Sequence, residues 1–197
     1  MSSDGEWTGD QALLETERLW LFPPAVPQAR AVQAFFARNR QHLAGSGPRL
    51  PAAADSDDAA VRAAYWDDRL GAQADEVRAG TALGLWLVAR EQPTAIAGGC
   101  NLTNIVRGPF QACHLGYQLD QAAVGQGLMT EALRAVIAHA WGQLGLHRIM
   151  ANYRPTNERS GRLLRRLGFT VEGYARDYLF LDGAWRDHVL TALTRAG

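Results

Sequence analysis

The stretch "VGQGLMTEAL", Val124–Leu133, decides how this chain is read. Two glycines, Gly125 and Gly127, stand one residue apart, directly before a run with helical spacing. The first turn of a helix carries free N–H groups and the positive end of the helix dipole. Glycine lets the backbone bend sharply there and lets a ligand come close to it. A strand, a glycine pair and a helix start together can therefore hold a pyrophosphate. The spacing limits which kind. A P-loop needs Gly-Lys-Ser or Gly-Lys-Thr, and neither follows Gly127. A dinucleotide fingerprint needs a third small residue three positions beyond its second glycine, where Thr130 stands instead. Two readings stay open for the stretch alone: a short G-x-G phosphate cradle, or a plain turn ahead of a core helix.

Working outward, Leu128, Ala132, Leu133, Val136, Ile137, Ala140, Trp141 and Leu144 recur at helical intervals and predict a helix over 128–144. Upstream, 83–90 and 94–104 read as two strands across a short turn at Glu91–Pro93, and 110–120 as a third. Still earlier come a strand over 16–21 ("TERLWL") and two helical patterns, 25–43 and 57–79. Val32, Phe35, Phe36 and Leu43 lie on one face of the first. Val61, Tyr65 and Trp66 point inward on the second. Downstream, 147–153 is a strand and 157–167 a helix closed by Gly168, a residue suited to a left-handed cap. Two last strands flank Asp182-Gly183, a hairpin turn dipeptide. Helices between strands, with several strands joined by hairpins, predict an α/β (α+β) domain: a mixed sheet with helices on its faces.

The chain has 197 residues, 47% of them hydrophobic, which suits one domain with a sizeable core. Residues 1–10 read as a loose N-terminal end and 11–197 as that single domain. The Ala-, Gly- and Pro-rich patch at 43–55 reads as a mobile loop inside it. Twenty basic and twenty acidic residues cancel, so no basic surplus draws the chain to DNA, RNA or an anionic membrane. There is no signal-peptide pattern and no apolar run long enough to span a bilayer. Cys100 and Cys113 match no metal spacing and no disulfide framework. They read as small core residues in a reducing, cytoplasmic setting, and no metal is expected.

A second cluster bears on the glycine pair. In "NYRPTNERSGRLLRRLGF" (152–169), Asn157 stands at a helix start, Ser160 one turn on, and Gly168-Phe169 closes the helix. This segment, about thirty residues downstream of a G-x-G helix, resembles the cofactor segments of the GNAT N-acetyltransferases. The resemblance extends through "NIVRGPFQACHLGY" (104–117) and "EGYARDYLFLDGAWRDHVLTAL" (172–193). Over roughly residues 94–195 it is similar to the family's members that acetylate the N-terminal alanine of a small-subunit ribosomal protein. The first half fits more loosely, through "TERLWL" and "ARNRQHL" (37–43). Relatives commonly carry a tryptophan within 44–56, where this chain has Ala44-Gly45-Ser46, so it departs from them in a region that shapes their acceptor pocket.

The resemblance implies a GNAT fold, a mixed twisted sheet of six or seven strands with about four helices, and acetyl-CoA as co-substrate. It implies that the strand ending at Leu119 splays from 147–153, with the pantetheine arm between them. The amides of Val124, Gly125, Gln126, Gly127 and Leu128 would take the pyrophosphate, and Asn157 the cofactor arm. Ser160 would protonate the departing thiolate, and one of Arg162, Arg165 and Arg166 would meet the ribose phosphate. Each has a plainer reading: Asn157 as an N-cap, Ser160 as a surface hydroxyl, the arginines as a solvated face, and Thr130-Glu131 as first-turn chemistry favoured by the dipole.

The general base is the gap. Asn152 stands where several family members have a glutamate, and asparagine cannot take a proton. Leu179 stands near the position of a relative's glutamate on the penultimate strand, with Asp177, Tyr178, Asp187 and His188 as neighbours. An α-amine needs little help: near pKa 7.8, roughly a quarter is neutral at pH 7.4, against about one part in a thousand for a lysine. The expected activity is therefore direct acetyl transfer to a protein N-terminus, Ala or another small residue, with possible ribosome contact. The alternatives are a small-molecule or antibiotic acetyltransferase and a coenzyme-binding ribosome-assembly partner with little catalysis.

Overall fold

The computed structural model describes residues 7–44 and 49–195. One sheet organises them. Its strands are β1 (Leu14–Glu15), β2 (Leu19–Phe22), β3 (Leu83–Ala89), β4 (Ile96–Val106), β5 (Ala112–Leu119), β6 (Arg148–Met150), β7 (Thr170–Leu181) and β8 (Ala184–Thr194). Their spatial order is β1-β2-β3-β4-β5-β6-β8-β7. All neighbours are antiparallel except β5 and β6. The helices are α1 (Ala29–Arg38), α2 (Arg40–Leu43), α3 (Ala59–Ala79), α4 (Leu128–Gly142) and α5 (Glu158–Arg166).

Eight strands and five helices exceed the expected six or seven and about four. The extra strand is the two-residue β1, which pairs only with β2. The extra helix comes from a break at Asn39 (φ −103°, ψ 9°), which divides the pattern expected as one helix over 25–43. Pro27 confines its start to a 3₁₀ turn over Val26–Gln28.

Two cores lie on the sheet. One packs α4 through Leu128, Ala132, Leu133, Val136 and Ala140 against Leu85, Leu87, Leu102, Leu115 and Ile149. These are the positions the helical spacing marks out. The other is aromatic: Phe36 stacks on Trp66 at 5.2 Å, with Phe35, Trp86, Phe22 and Trp7 around them. Trp7 is 2% exposed and its backbone N–H donates to Pro93 O at 2.8 Å. The chain is thus held from Trp7 onward, not from Gln11 as the loose-end reading had it; residues 1–6 lie outside the described residues. Likewise only 45–48 of the supposed mobile loop lie outside them. Ala52–Asp55 is a 3₁₀ turn whose Ala54 is buried and accepts from Trp66 Nε1 at 3.2 Å. No helix among the described residues is long and apolar enough to cross a membrane.

Candidate active site

The parallel seam between β5 and β6 is short. Ala112, Cys113 and His114 pair with Arg148, Ile149 and Met150, and the pairing stops there. Beyond it the chain after β6 follows β8 instead: Ala151 N donates to Thr191 O at 3.0 Å, and Tyr153 bridges Val189. Leu115–Leu119 keeps β4 on one side, Leu119 opposite Gly98, and has no strand on the other. A gap therefore opens between the end of β5 and residues 151–153. Unpaired strand edges carry free donors and acceptors, which suits an extended amide-bearing ligand.

At the mouth of that gap stands the glycine pair. Gly125 and Gly127 have φ of +88° and +78°, left-handed conformations that an L side chain rarely adopts. Gly127 is the N-cap of α4. Among the described residues the N–H groups of Gly125, Gln126, Gly127 and Leu128 have no protein acceptor. Val124 differs from expectation: its N–H closes a turn on Gln121 O at 3.3 Å. Four donors are free in this loop, at the positive end of a fifteen-residue helix. They fit a pyrophosphate.

Two networks hold the loop. Glu131 accepts from Thr16 Oγ1 (2.6 Å), Arg18 N (2.8 Å) and Arg18 Nε (2.7 Å), while Arg18 Nη1 donates to Gln126 O (3.0 Å). Burial works against the Glu131 charge, yet these donors win and hold its carboxyl below the usual range. Glu131 is thus an anchor for the turn before β2 as well as a first-turn acid. Asp120, at the end of β5, accepts from Arg38 Nε (2.6 Å), Asn39 Nδ2 (3.0 Å) and Ala122 N (2.9 Å), and Asn39 Oδ1 accepts from Gln121 N (2.9 Å). Here too burial opposes the charge, and the Asn39, Ala122 and Arg38 donors outweigh it and lower the pKa. The break at Asn39 frees that side chain to reach the loop. An open cavity of about 610 Å³ lies beside Gly127, lined by Arg18, Thr130, Arg134 and Arg166 among others. Arg166 thus faces it, whereas Arg162 pairs with Glu158 at 2.9 Å on the exposed helix face.

On α5, Asn157 is the N-cap: its Oδ1 accepts from Ser160 N at 3.1 Å. The Ser160 hydroxyl lies 2.6 Å from Tyr117 OH, across from β5. Gly161 lets Tyr153 pack against the same turn, since a Cβ there would meet the Tyr153 ring and hydroxyl at 2.8–2.9 Å. Gly168 (φ +91°) caps the helix, and Phe169 N donates to Leu164 O at 3.0 Å.

Asn152 has both ends engaged. Its Oδ1 accepts from Thr191 N (3.3 Å), and its Nδ2 donates to Tyr178 OH (3.1 Å). Its geometry is that of a strut between the gap and the last hairpin. Asp187 accepts from Tyr174 OH (2.6 Å) and Asp177 N (2.9 Å), which hold its carboxyl low. His188 is buried, with Nδ1 2.9 Å from Arg186 O and its ring 5.4 Å from Tyr178. Asp177 sits at a positive φ of 47° within a register shift of β7. Cys100 and Cys113 are buried, and burial pushes both thiols up to about 12. Tyr117, Arg18, Arg38, Asn39 and Asp120 were not singled out from sequence. The partners that bring them to the site lie 43 to 113 residues away, and no local pattern marks such pairs.

A splayed parallel seam, a glycine-cradled helix start beside it and a capped helix across from it define the class. The chain belongs to the GNAT acetyltransferase family, whose acetyltransferase domain model matches residues 18–170. Members of that family use acetyl-CoA. Among curated proteins, the chain is 52% identical over 129 residues to the ribosomal protein uS5-alanine N-acetyltransferase of Escherichia coli. That match covers 66% of each chain, a little under two thirds of the relative's length. Among solved structures, it is similar to a ribosomal-protein-alanine acetyltransferase from Vibrio fischeri, with a TM-score of 0.82, 34% identity, and 92% of this chain and 95% of that one covered. RimJ of Mycobacterium smegmatis, solved with a CoA-disulfide, superposes at a TM-score of 0.79 with 28% identity, over 89% of this chain and 81% of that one.

Proposed function

We propose that this protein moves the acetyl group of acetyl-CoA onto the α-amino group of a protein N-terminus, alanine or another small residue, on a small-subunit ribosomal protein. The 52% identity to the E. coli uS5-alanine enzyme carries the choice of acceptor. The four free amides at 125–128 support pyrophosphate binding, and the gap beside Leu115–Leu119 supports the pantetheine arm. Transfer is direct. The amine attacks the thioester carbonyl, the tetrahedral intermediate collapses, and the C–S electron pair leaves with sulfur. Neither cysteine suits an acyl-enzyme, because a buried thiol with a pKa of about 12 is almost wholly protonated at neutral pH. Holding thioester and amine together supplies a large part of the barrier reduction.

Two of the nearby carboxylates are weakened as bases. The donors on Asp187 and Glu131 hold their carboxyls low and occupy their oxygens, and Asn152 has no basic atom. An α-amine that is roughly a quarter neutral near pH 7.4 can lose its proton through water instead. Such an acceptor places the enzyme in the cytoplasm, in contact with the ribosomal protein before or during assembly.

Thiol release from acetyl-CoA tests the reading. The panel holds peptides with free Ala, Ser or Met, the same peptides N-terminally blocked, a lysine peptide, and small amines. Turnover confined to free Ala or Ser is expected. Turnover with small amines alone would replace the acceptor class. Coenzyme binding without turnover on any acceptor would overturn catalysis in favour of a coenzyme-binding assembly partner.

A further inference from the structure

The Ser160 hydroxyl has one recorded side-chain partner, the phenol of Tyr117 at 2.6 Å. Tyr117 reaches it from β5, on the side that β6 leaves unpaired, and Ser160 stands in the first turn of α5. The pair therefore spans the two walls of the gap in which the thioester is expected to lie. We infer that Tyr117 is a positioning residue for acetyl transfer, which donates its phenol proton to Ser160 Oγ and so turns the Ser160 O–H outward toward the sulfur of the departing thiolate. This rests on the acetyl-transfer reading above.

The direction of the bond follows from the two groups. A phenol is the stronger donor and an alkyl hydroxyl oxygen the better acceptor. Burial, the larger influence, keeps the phenol protonated by pushing its pKa up to about 12 against the lowering effect of the Ser160 hydrogen bond. Among the described residues no other acceptor is recorded for it. If Ser160 donated instead, its single proton would be used on Tyr117 and none would face the gap. The Ser160 N–H is already committed to Asn157 Oδ1, so the backbone beneath the hydroxyl is fixed as well. Gly161 lets the Tyr153 ring pack directly against the same turn, which limits the room for the pair to rearrange.

A donor chain Tyr117 O–H to Ser160 O–H to sulfur strengthens its last link, because each hydrogen bond polarises the next. No alkoxide or tyrosinate is formed. As the C–S bond breaks, sulfur keeps the electron pair, its charge is stabilised by the Ser160 O–H, and it takes a proton from solvent. The amine nitrogen releases one proton to solvent, so the balance closes.

The test is a cycle of Tyr117→Phe, Ser160→Ala and the double variant, assayed with acetyl-CoA and a free-alanine peptide. Tyr117→Phe keeps the ring and its packing. Its kcat is expected to fall about tenfold, the size of one well-placed hydrogen bond, with the KM for acetyl-CoA changed less than twofold. In the Ser160→Ala background the same change should cost less than twofold, because nothing is left to orient. A full-activity Tyr117→Phe enzyme would overturn the inference. So would an equal loss in both backgrounds, or a loss confined to the KM for acetyl-CoA, each of which signals packing alone. The Ser160→Ala variant removes the bond from its other end if Tyr117→Phe fails to fold, and unchanged kcat there overturns the inference too. If the parent enzyme itself turns over no amine, the function reading fails and this inference with it, whereas a working parent with indifferent variants removes only the role of Tyr117.

Discussion

From Ala112 to Arg166 the proposed coenzyme site is built chiefly of backbone: four amides at 125–128, two left-handed glycines and the unpaired edge of β5. From Trp7 to Ala79 the protein presents side chains instead, with Trp7, Phe22, Phe35, Phe36 and Trp66 locked ring to ring. A backbone site depends on conformation, so a few glycines and caps specify it. A side-chain cluster depends on shape, and many sequences can fill it. The two halves meet beside the glycine loop, where Arg38 and Asn39 hold Asp120 and where Thr16 and Arg18 hold Glu131 and Gln126.

The aromatic half should yield the largest stability losses. Trp66→Ala removes a buried ring stacked on Phe36 and is expected to cost about 3–5 kcal/mol in denaturant unfolding. A loss under about 1 kcal/mol would show that this cluster is not a packed core. Asp120→Ala should cost about 2 kcal/mol, because it strips charge-assisted hydrogen bonds from Arg38 and Asn39. It should also weaken acetyl-CoA binding, since the loop loses its tether. Unaltered binding would mean that this tether does not hold the loop, leaving that task to the Arg18 contacts with Glu131 and Gln126.

Gly127→Val sharpens the contrast from the other side. There is open space around its position apart from Arg18, so the expected harm is conformational. An L residue forced to a φ of +78° costs about 1–2 kcal/mol, equivalent to roughly tenfold in the acetyl-CoA Kd where the loop relaxes away from its binding shape. Calorimetry would read it, and a Kd within twofold of the parent would remove the backbone cradle. Asn157→Ala should cost only about 1 kcal/mol of stability, the worth of an N-cap.

The smallest effect concerns pH. Asp120 and Glu131 both have folded pKa values below their ordinary ones, so each adds stability above its unfolded value, near pH 4. That contribution is lost as pH falls through the lower folded values. Melting temperature should accordingly decline below about pH 4, less steeply in Asp120→Asn. An identical acid limb in that variant would show that Asp120 carries none of it.

This division also governs what the sequence makes legible. Gly125-Gln126-Gly127, the Asn157 cap, Gly168 and Asp182-Gly183 are demands that a few adjacent residues place on their own backbone, and all four can be read directly. The helix over 128–142 is legible because its buried positions recur with a fixed period. The break at Asn39 is not, because helical periodicity runs on through it; only the pull of Asp120, 81 residues away, explains where that side chain goes. Tyr117 reads as one more alternating strand residue until α5 brings Ser160 to it. The burial of Trp7 and Ala54 is equally hidden, since composition around them is polar or small while their partners, Phe22 and Trp66, lie elsewhere.

The most direct test of the account locates the acetyl group. Purified protein would be incubated with acetyl-CoA and a peptide that carries both a free N-terminal alanine and an internal lysine, and the product mapped by fragmentation mass spectrometry. The account predicts acetyl on the alanine α-nitrogen alone, one per coenzyme thiol released. Acetyl on the lysine, on a cysteine of the protein, or thiol release without a modified peptide would contradict it.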